Sequence, residues 1–171
     1  MSVIINRKVQ INQWSHRSDD EPLGAGRVTV SLNRWLQEHD SLAARDGNVG
    51  VRLLPGDAVE DLAPFAVGLA LVALEFDRFG EGRGYSQAYL LRERHGFTGE
   101  LRALGARRDH VMYMERCGIN AFEPAPEDSV ETLLDGFDEI TVRYQPSHDR
   151  IPLIFRERAR GAAERRQEIS A

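Results

Sequence analysis

The sequence predicts an α/β fold with a mostly parallel sheet, because short apolar runs alternate with segments of helical periodicity along most of the chain. The strand candidates are residues 3–6, 9–14, 28–30, 49–54, 69–76, 100–104, 121–123 and 139–144. The run at 69–76 is almost continuously apolar, which is typical of a central strand covered on both faces. About six alternating strands are too few for an eight-fold barrel of about 250 residues. The prediction is therefore an open three-layer sheet or a partial barrel.

The start of the chain predicts a short antiparallel hairpin ahead of the alternating units. Its two β-prone runs, residues 3–6 and 9–14, flank the polar segment Asn6-Arg7-Lys8. The segment from Ser15 to Gly26 is polar, so we expect a loop there. We expect one α/β domain over residues 1–147, with the hairpin at about 3–14, followed by a basic tail at 148–171.

Capping residues and apolar spacing set the expected helix boundaries. Two segments follow the i, i+3, i+4, i+7 spacing of a buried helix face. They are Leu32, Trp35, Leu36 and His39, and Val130, Leu133, Leu134 and Phe137. The predicted N-terminal signals are Ser31, Asp57 with Glu60, Ser86, Asp109 and Pro126. The predicted C-terminal signals are Gly47, Gly96 and Gly118.

Charge and composition exclude several classes of function. The 171 residues are 42% apolar, enough for one core, and 27 acidic against 22 basic residues give a net charge of −5. Because this sign repels a phosphate backbone, we expect no nucleic acid partner. The longest apolar run, 62–74, is shorter than the roughly 20 residues of a membrane-spanning helix, so we expect no membrane partner. The prediction is a soluble, cytoplasmic protein without a secretion signal.

The cysteine and histidine content limits the cofactors. Cys117 is the only cysteine, so one chain cannot supply an intrachain disulfide or the four thiolates of an iron–sulfur cluster. We expect Cys117 to be a core residue beside Met114. The histidines at 16, 39, 95, 110 and 148 show no metal-ligand spacing, and His95 is expected to pack or cap beside Gly96. No metal site is predicted, and the cofactor stays unknown.

The clearest functional pattern follows the central strand. Ligands of parallel α/β folds collect at the carboxyl ends of strands, and here that end carries the glycine loop Gly80-Glu81-Gly82-Arg83-Gly84. Bare backbone N–H groups beside a helix start, with the Arg83 guanidinium, suit a small oxyanion such as phosphate, sulfite or a carboxylate. The spacing matches neither a dinucleotide-binding motif nor a P-loop. The structural alternative is a tight crossover that only lets Tyr85 pack.

A second group of polar residues follows the next strand. Arg107, Arg108 and Asp109 are expected to lie beside the glycine loop. Two arginines at a helix start oppose its dipole unless an anion or Asp109 offsets them. The predicted anion site comprises Gly82, Arg83, Gly84, Tyr85, Ser86, Arg108 and Asp109, and no residue is assigned a catalytic role.

Several motifs also resemble a known bacterial family. They are Asn33-Arg34-Trp35, Gly50-Val51-Arg52-Leu53, Gly82-Arg83-Gly84-Tyr85-Ser86, Leu90-Leu91-Arg92-Glu93-Arg94, Thr98-Gly99-Glu100-Leu101-Arg102, Arg116-Cys117-Gly118 and Ala121-Phe122-Glu123. Over 28–144, and more weakly over 4–14, the chain resembles the bacterial domain of unknown function DUF934. That family usually has Gly-Asp-Val-Leu-Arg-Asp where this chain has the shorter Gly105-Ala106-Arg107-Arg108-Asp109. The match therefore favours Arg108 and Asp109 over Arg107.

The resemblance implies a role near assimilatory sulfite reduction. Members are often labelled as oxidoreductases of that pathway and tend to be encoded beside sulfite reductase. We expect an accessory protein that binds a small anion and has sulfite reductase as a partner. The alternatives are a small-molecule oxidoreductase or anion-sensing domain, and a structural subunit that docks through the basic tail. The sequence leaves homo-oligomerisation open.

Overall fold

The computed structural model of the protein describes residues 2–45, 47–76, 80–140 and 144–148, together with Arg156 and Arg158. Within these residues the strands are β1 (Ser2–Ile5), β2 (Lys8–Ile11), β3 (Trp14–His16), β4 (Arg27–Ser31), β5 (Val49–Leu53), β6 (Leu71–Glu75), β7 (Glu100–Ala106) and β8 (Ala121–Pro124). The helices are α1 (Leu32–Gln37), α2 (His39–Ala43), α3 (Val59–Ala66), α4 (Arg83–Tyr89), α5 (Val111–Arg116) and α6 (Val130–Gly136). A π-helical turn at Leu90–Arg94 continues α4. None of the described helices has the length and apolar character needed to cross a membrane.

The described strands form one eight-stranded sheet, curled into a half-barrel, in the order β2-β1-β8-β7-β6-β5-β4-β3. Strands β3 to β8 run parallel to one another, whereas β1 runs antiparallel to both β2 and β8. The α/β class and the mostly parallel sheet are confirmed, and the architecture is the partial barrel rather than the open three-layer sheet. Because β6 lies between β5 and β7, the central position predicted for the 69–76 run is also confirmed.

The N-terminal hairpin is confirmed but is shorter than predicted. β1 pairs with β2 from Ser2 opposite Ile11 to Ile5 opposite Lys8. Trp14 lies outside the hairpin, in β3, which pairs in parallel with β4 at the opposite edge of the sheet. The loop prediction is therefore wrong for the first two residues after Trp14. A strand of three residues is too short to show an alternation pattern, so only its pairing reveals it.

The predicted last strand and the tail lie largely beyond the described part of the chain. Glu139, Ile140 and Tyr144 do not belong to a strand, and residues 141–143 lie outside the described residues. Of the predicted basic tail at 148–171, the structure describes only His148, Arg156 and Arg158. Among the described residues, β3 supplies the sixth parallel strand that the sequence assigned to 139–144.

The predicted side-chain cap is present at the N-terminus of α1 but not at that of α3. Ser31 caps α1 as predicted, because its hydroxyl accepts the Arg34 N–H at 3.0 Å. The Asp57 carboxylate accepts the Leu54 N–H at 2.8 Å in the turn after β5. Since that turn uses the carboxylate, α3 begins after Ala58 without a side-chain cap, and the predicted capping box is wrong.

The caps of α5 and α6 also differ from the prediction. α5 begins after His110 without a side-chain cap, so Asp109 does not cap it. Pro126 lies in a turn before α6, and Ser129 caps that helix by accepting the Thr132 N–H at 3.2 Å. The predicted apolar face of α6 is confirmed, with its residues packed into or against the main core.

The two faces of the sheet differ in chemistry. On one face, alternate residues such as Val51, Val72 and Leu101 pack with helix residues in the main core. On the other face, Trp14 packs on Leu71 and Ala73 in a smaller apolar cluster. That face is the concave one, because His16 of β3 reaches across it to β8 although four strands separate them in the sheet.

A buried ionic network centred on Arg102 crosses the concave face. The Arg102 side chain, only 1% exposed, donates from Nε to Glu100 Oε1 at 2.7 Å and from Nη1 to Glu123 Oε1 at 2.6 Å. It also donates from Nη1 to Asn12 Oδ1 at 2.7 Å. Two carboxylates and an amide thus satisfy one buried guanidinium, as burial of a charge requires.

The network continues from Glu123 to β3 and β4. Glu123 Oε2 lies 3.0 Å from His16 Nε2, and His16 Nδ1 lies 2.7 Å from the hydroxyl of Thr29. Burial alone would raise the pKa of Glu123, but the hydrogen bond and charge of His16 and the charge of Arg102 hold it below its usual value. Glu123 is therefore ionised at neutral pH. Its carboxylate on β8 contacts His16 on β3, so it links the two outermost parallel strands.

Replacing Arg102 tests how much this network contributes to the free energy of unfolding. We expect R102M to lower the free energy of unfolding by about 3 kcal/mol, because it leaves the buried Glu123 and the half-buried Glu100 without their cation. The matched control is R52M on the same face, since Arg52 pairs with the more exposed Glu75 at 3.0 Å and should cost about 1 kcal/mol or less. Urea unfolding at pH 7 measures both variants. Equal, small losses would contradict the central role of Arg102.

Candidate functional site

The carboxyl ends of the parallel strands bring three loops together, as the sequence predicts for a parallel sheet. The Phe76 N–H donates to Leu104 O at 3.0 Å, so the segment after β6 stays beside β7. Gln87 of α4 donates from Nε2 to Leu54 O at 2.8 Å and to Asp57 O at 3.0 Å. These bonds fasten α4 to the loop that follows β5 and position the glycine loop above β6.

The N-cap residue of the helix after the glycine loop is Gly82, and Glu81 rather than Ser86 accepts a hydrogen bond at the helix start. α4 begins at Arg83, and the Glu81 Oε1 accepts the Arg83 N–H at 3.1 Å. Ser86 lies inside α4 and is exposed, so its prediction as a cap is wrong. The Glu81 carboxylate therefore already occupies the position at the start of α4 where a bound anion would accept a hydrogen bond.

Gly84 is required by packing rather than by backbone conformation. It is buried in the first turn of α4, where an added Cβ would lie 2.5 Å from the Phe76 ring. The same Phe76 ring makes an edge contact with Tyr85 at a centroid distance of 5.3 Å. At this glycine the tight-crossover alternative accounts for the residue, whereas Gly80 adopts a φ of 85° in the turn itself.

Gly105 shapes the wall opposite the glycine loop. The pairing of β7 with β8 shifts register between Leu104 and Ala106, which is a β-bulge, and Gly105 there has a φ of 79°. An added Cβ would lie 2.9 Å from Phe76 O, so only glycine lets the two loops approach. The bulge thereby directs the residues after β7 toward the glycine loop.

A small cavity of about 120 Å³ lies between these loops. Its lining residues are Phe76, Gly80, Glu81, Gly82, Tyr85, Gly105, Arg107 and His110. We call it the glycine-loop cavity. Arg107 forms an ion pair with Glu127, on the segment after β8. The residues that line the cavity thus include three glycines, one glutamate, one arginine and one histidine.

The seven residues of the predicted anion site are only partly brought together. Gly82 and Tyr85 line the cavity. Arg83 is 68% exposed, and its Nε lies 3.8 Å from Glu81 Oε1. Arg108 is directed to Glu139, at 3.7 Å, and the exposed Asp109 lies 3.6 Å from His110. The other five residues, Arg83, Gly84, Ser86, Arg108 and Asp109, are not among the described residues that line the cavity.

The lining of the cavity includes three charged or titratable residues that the predicted site omits: Glu81, Arg107 and His110. No local pattern singles out Arg107, because Gly105 lies in the bulge with a φ of 79° and side-chain alternation does not continue through it. The family pattern favoured Arg108 instead. Glu81 carried a sequence signal, because an acidic residue just before a helix start stabilises the helix.

Tyr85 is a neutral hydrogen-bond donor at the edge of the cavity. Burial, and then the charges of Cys117, Asp109 and Tyr113, raise its pKa to about 12. The phenol therefore keeps its proton through neutral pH. None of the described residues makes a hydrogen bond to its hydroxyl.

Cys117 and His95 occupy structural positions. Cys117 is half-buried at the C-terminal end of α5 and packs against the main core, which contains Met114, as predicted. His95 follows the π-helical turn, and its backbone N–H donates to Leu90 O at 3.1 Å. Gly96 follows it with a φ of 64°, as expected at a helix exit. The described residues contain no cluster of three or more metal-ligating side chains.

A larger cavity of about 640 Å³ lies near the amino ends of β7 and β8, but its arginines serve the fold. Arg92 donates to the carbonyl oxygens of Phe97, Gly99 and Gly118. Arg7 donates to Glu115 and Asp138, and both guanidiniums are thereby committed to holding the chain. We call this the Arg92 cavity.

The fold and these loops define an α/β half-barrel with a small polar cavity at the carboxyl ends of its central strands. The chain matches the family model described as "Bacterial protein of unknown function (DUF934)" over residues 50–155, more than half of its length. The chain therefore belongs to this family, and the resemblance noted in the sequence is confirmed. A search of curated proteins finds no match to the chain.

Proposed function

We propose that the protein binds a small oxyanion in the glycine-loop cavity and acts in this way as an accessory protein of sulfite reduction. The observation that carries the first part is the lining of the cavity. The Arg107 guanidinium and the His110 imidazole share it with the backbone of Gly80 and Gly82. A guanidinium and glycine backbone are the groups that bind oxyanions in proteins.

The size of the cavity favours an ion over a nucleotide. Pockets for drug-sized ligands hold about 300–1,000 Å³, whereas a water molecule occupies about 30 Å³. The volume of about 120 Å³ therefore suits an ion of a few heavy atoms, such as sulfite or phosphate. This agrees with the mismatch of the glycine loop to dinucleotide and P-loop motifs.

Glu81 explains how the cavity is balanced electrostatically before an anion enters. Its carboxylate accepts the Arg83 N–H and lines the cavity together with Arg107. An entering oxyanion competes with this carboxylate for the same positive groups. We therefore expect Glu81, together with Glu127 through its ion pair with Arg107, to lower the affinity for the anion.

Substitutions at the cavity separate these roles. We expect R107A to weaken sulfite and phosphate binding about tenfold, because it removes the cavity's guanidinium. We expect E81Q to strengthen binding several-fold, because the amide keeps a hydrogen-bond acceptor but removes the like charge. Thermal stabilisation of the protein as a function of sulfite or phosphate concentration measures both effects.

The matched control is R108A. Arg108 neighbours Arg107 in sequence but is not among the described residues that line the cavity, so its removal should leave the anion response within about twofold of wild type. If R107A and R108A weaken binding equally, the effect is general surface charge, and the proposed cavity is wrong.

The second part of the proposal rests on the family. Membership of DUF934 supports carrying over the expectation of a role beside sulfite reductase, and a cavity for small oxyanions fits that pathway chemically. A protein that holds or delivers a sulfur oxyanion needs no catalytic group of its own. We therefore assign it to the accessory class.

Deletion of the coding sequence in the host bacterium tests this role. We expect growth on sulfate as the sole sulfur source to fail, growth on cysteine to continue, and the amount of sulfite reductase to stay unchanged. Complementation with R108A should restore growth, whereas complementation with R107A should not. Normal growth of the deletion strain on sulfate would overturn the accessory role.

A further inference from the structure

The glycine-loop cavity adjoins a second cavity of about 490 Å³, because Tyr85 and His110 line both. The other residues that line the second cavity are Tyr113, Arg116, Cys117, Gln145, Pro146 and Ser147. We call it the tyrosine pocket. Its volume lies within the range of about 300–1,000 Å³ typical of small-molecule sites.

The described wall of the tyrosine pocket is held in place by hydrogen bonds. Arg116 donates from Nη2 to Gln145 O at 2.6 Å, and the Ser147 hydroxyl donates to Arg116 O at 2.5 Å. The His148 N–H donates to the same Arg116 carbonyl at 3.1 Å. Segment 145–148 is therefore fastened to the end of α5, and the space it encloses with α4 and α5 is part of the fold.

Two aromatic residues, Tyr85 and Tyr113, line the tyrosine pocket together with polar residues such as Arg116 and Ser147. Tyr113 is 49% exposed although its neighbours Met112 and Met114 are buried, so its ring is available to a ligand. Tyr85 stands between the two cavities with a protonated hydroxyl that no described residue binds. Two aromatic rings and a donor suit a flat apolar group that carries a polar substituent.

We propose that the ligand of the glycine-loop cavity is an organic oxyanion. Its sulfonate, carboxylate or phosphate group binds beside Arg107, and its flat apolar body occupies the tyrosine pocket against Tyr113. This inference rests on the proposed anion site, because it uses the same Arg107. It adds the chemical class of the ligand and assigns Tyr113 as a specificity residue and Tyr85 as the donor between the two cavities.

Comparison of two sulfonates of equal charge tests the organic part of the ligand. Benzenesulfonate carries a flat ring that methanesulfonate lacks, so it should bind the full-length protein about tenfold more tightly. Y113A should remove this advantage and leave the response to inorganic sulfite unchanged. Y113F should retain the advantage, since the aromatic ring is kept. Isothermal titration of each anion into each variant gives the dissociation constants.

Tyr89 supplies a matched control for the loss of a tyrosine. It lies on α4, is 47% exposed, and is not among the described residues that line either cavity. Y89A should therefore leave the dissociation constants of both sulfonates within about twofold of wild type.

The outcomes separate the inference from the proposed function. If R107A weakens sulfite binding but Y113A leaves the benzenesulfonate advantage intact, the tyrosine pocket is not the ligand's site and the anion cavity stands. If R107A changes neither sulfite nor benzenesulfonate binding, both proposals fall. If benzenesulfonate keeps its full affinity in R107A and loses it in Y113A, the two cavities do not share one ligand, and the inference is overturned.

Discussion

The buried guanidinium of Arg102 is the interaction on which the curled sheet depends. It draws Glu100 and Glu123 together on the concave face, and Glu123 in turn reaches His16 at the far edge of the parallel strands. A sheet with an apolar inner face could flatten or slide with little loss, whereas the contacts of His16 with Glu123 and of Asn12 with Arg102 form only when the sheet is curled. The ionic pairs thus determine curvature, while the apolar face toward the helices supplies the bulk of the burial.

The same strand that carries Arg102 also builds the candidate site. Three residues after Arg102, β7 has a bulge at Gly105. This bulge places Arg107, in the loop that follows, beside the glycine loop. Gly84 lets Phe76 lie under α4, which sets the opposite wall. The position of the cavity therefore follows from two close approaches that only glycine permits and from the curvature that Arg102 maintains.

The sequence predicted those parts of the fold that depend on local patterns. Strands 49–53 and 71–75 lie inside predicted apolar runs. The Ser31 cap depends on a hydrogen bond to Arg34, which is only three residues away in sequence. Features that depend on strand pairing, or on which of several nearby groups takes a hydrogen bond, escaped prediction. β3 is recognisable only by its pairing with β4. The cap predicted for Asp57 was wrong because its carboxylate accepts the Leu54 N–H instead. The cap predicted for Ser86 was wrong because the helix starts earlier, where Glu81 accepts the Arg83 N–H. The edge of the sheet that carries the candidate site was predicted, whereas the orientation of Arg107 and Arg108 depends on the bulge.

In the proposed function, an oxyanion is held between the glycine loop and the bulge of β7. The most direct measurement is a titration of the ¹⁵N-labelled protein with sulfite, followed through its backbone amide signals. The account predicts saturable shifts that are largest at Gly80, Gly82 and Gly105. Shifts concentrated at Gly118 and Asn120 of the Arg92 cavity, or no saturable shifts, would contradict it.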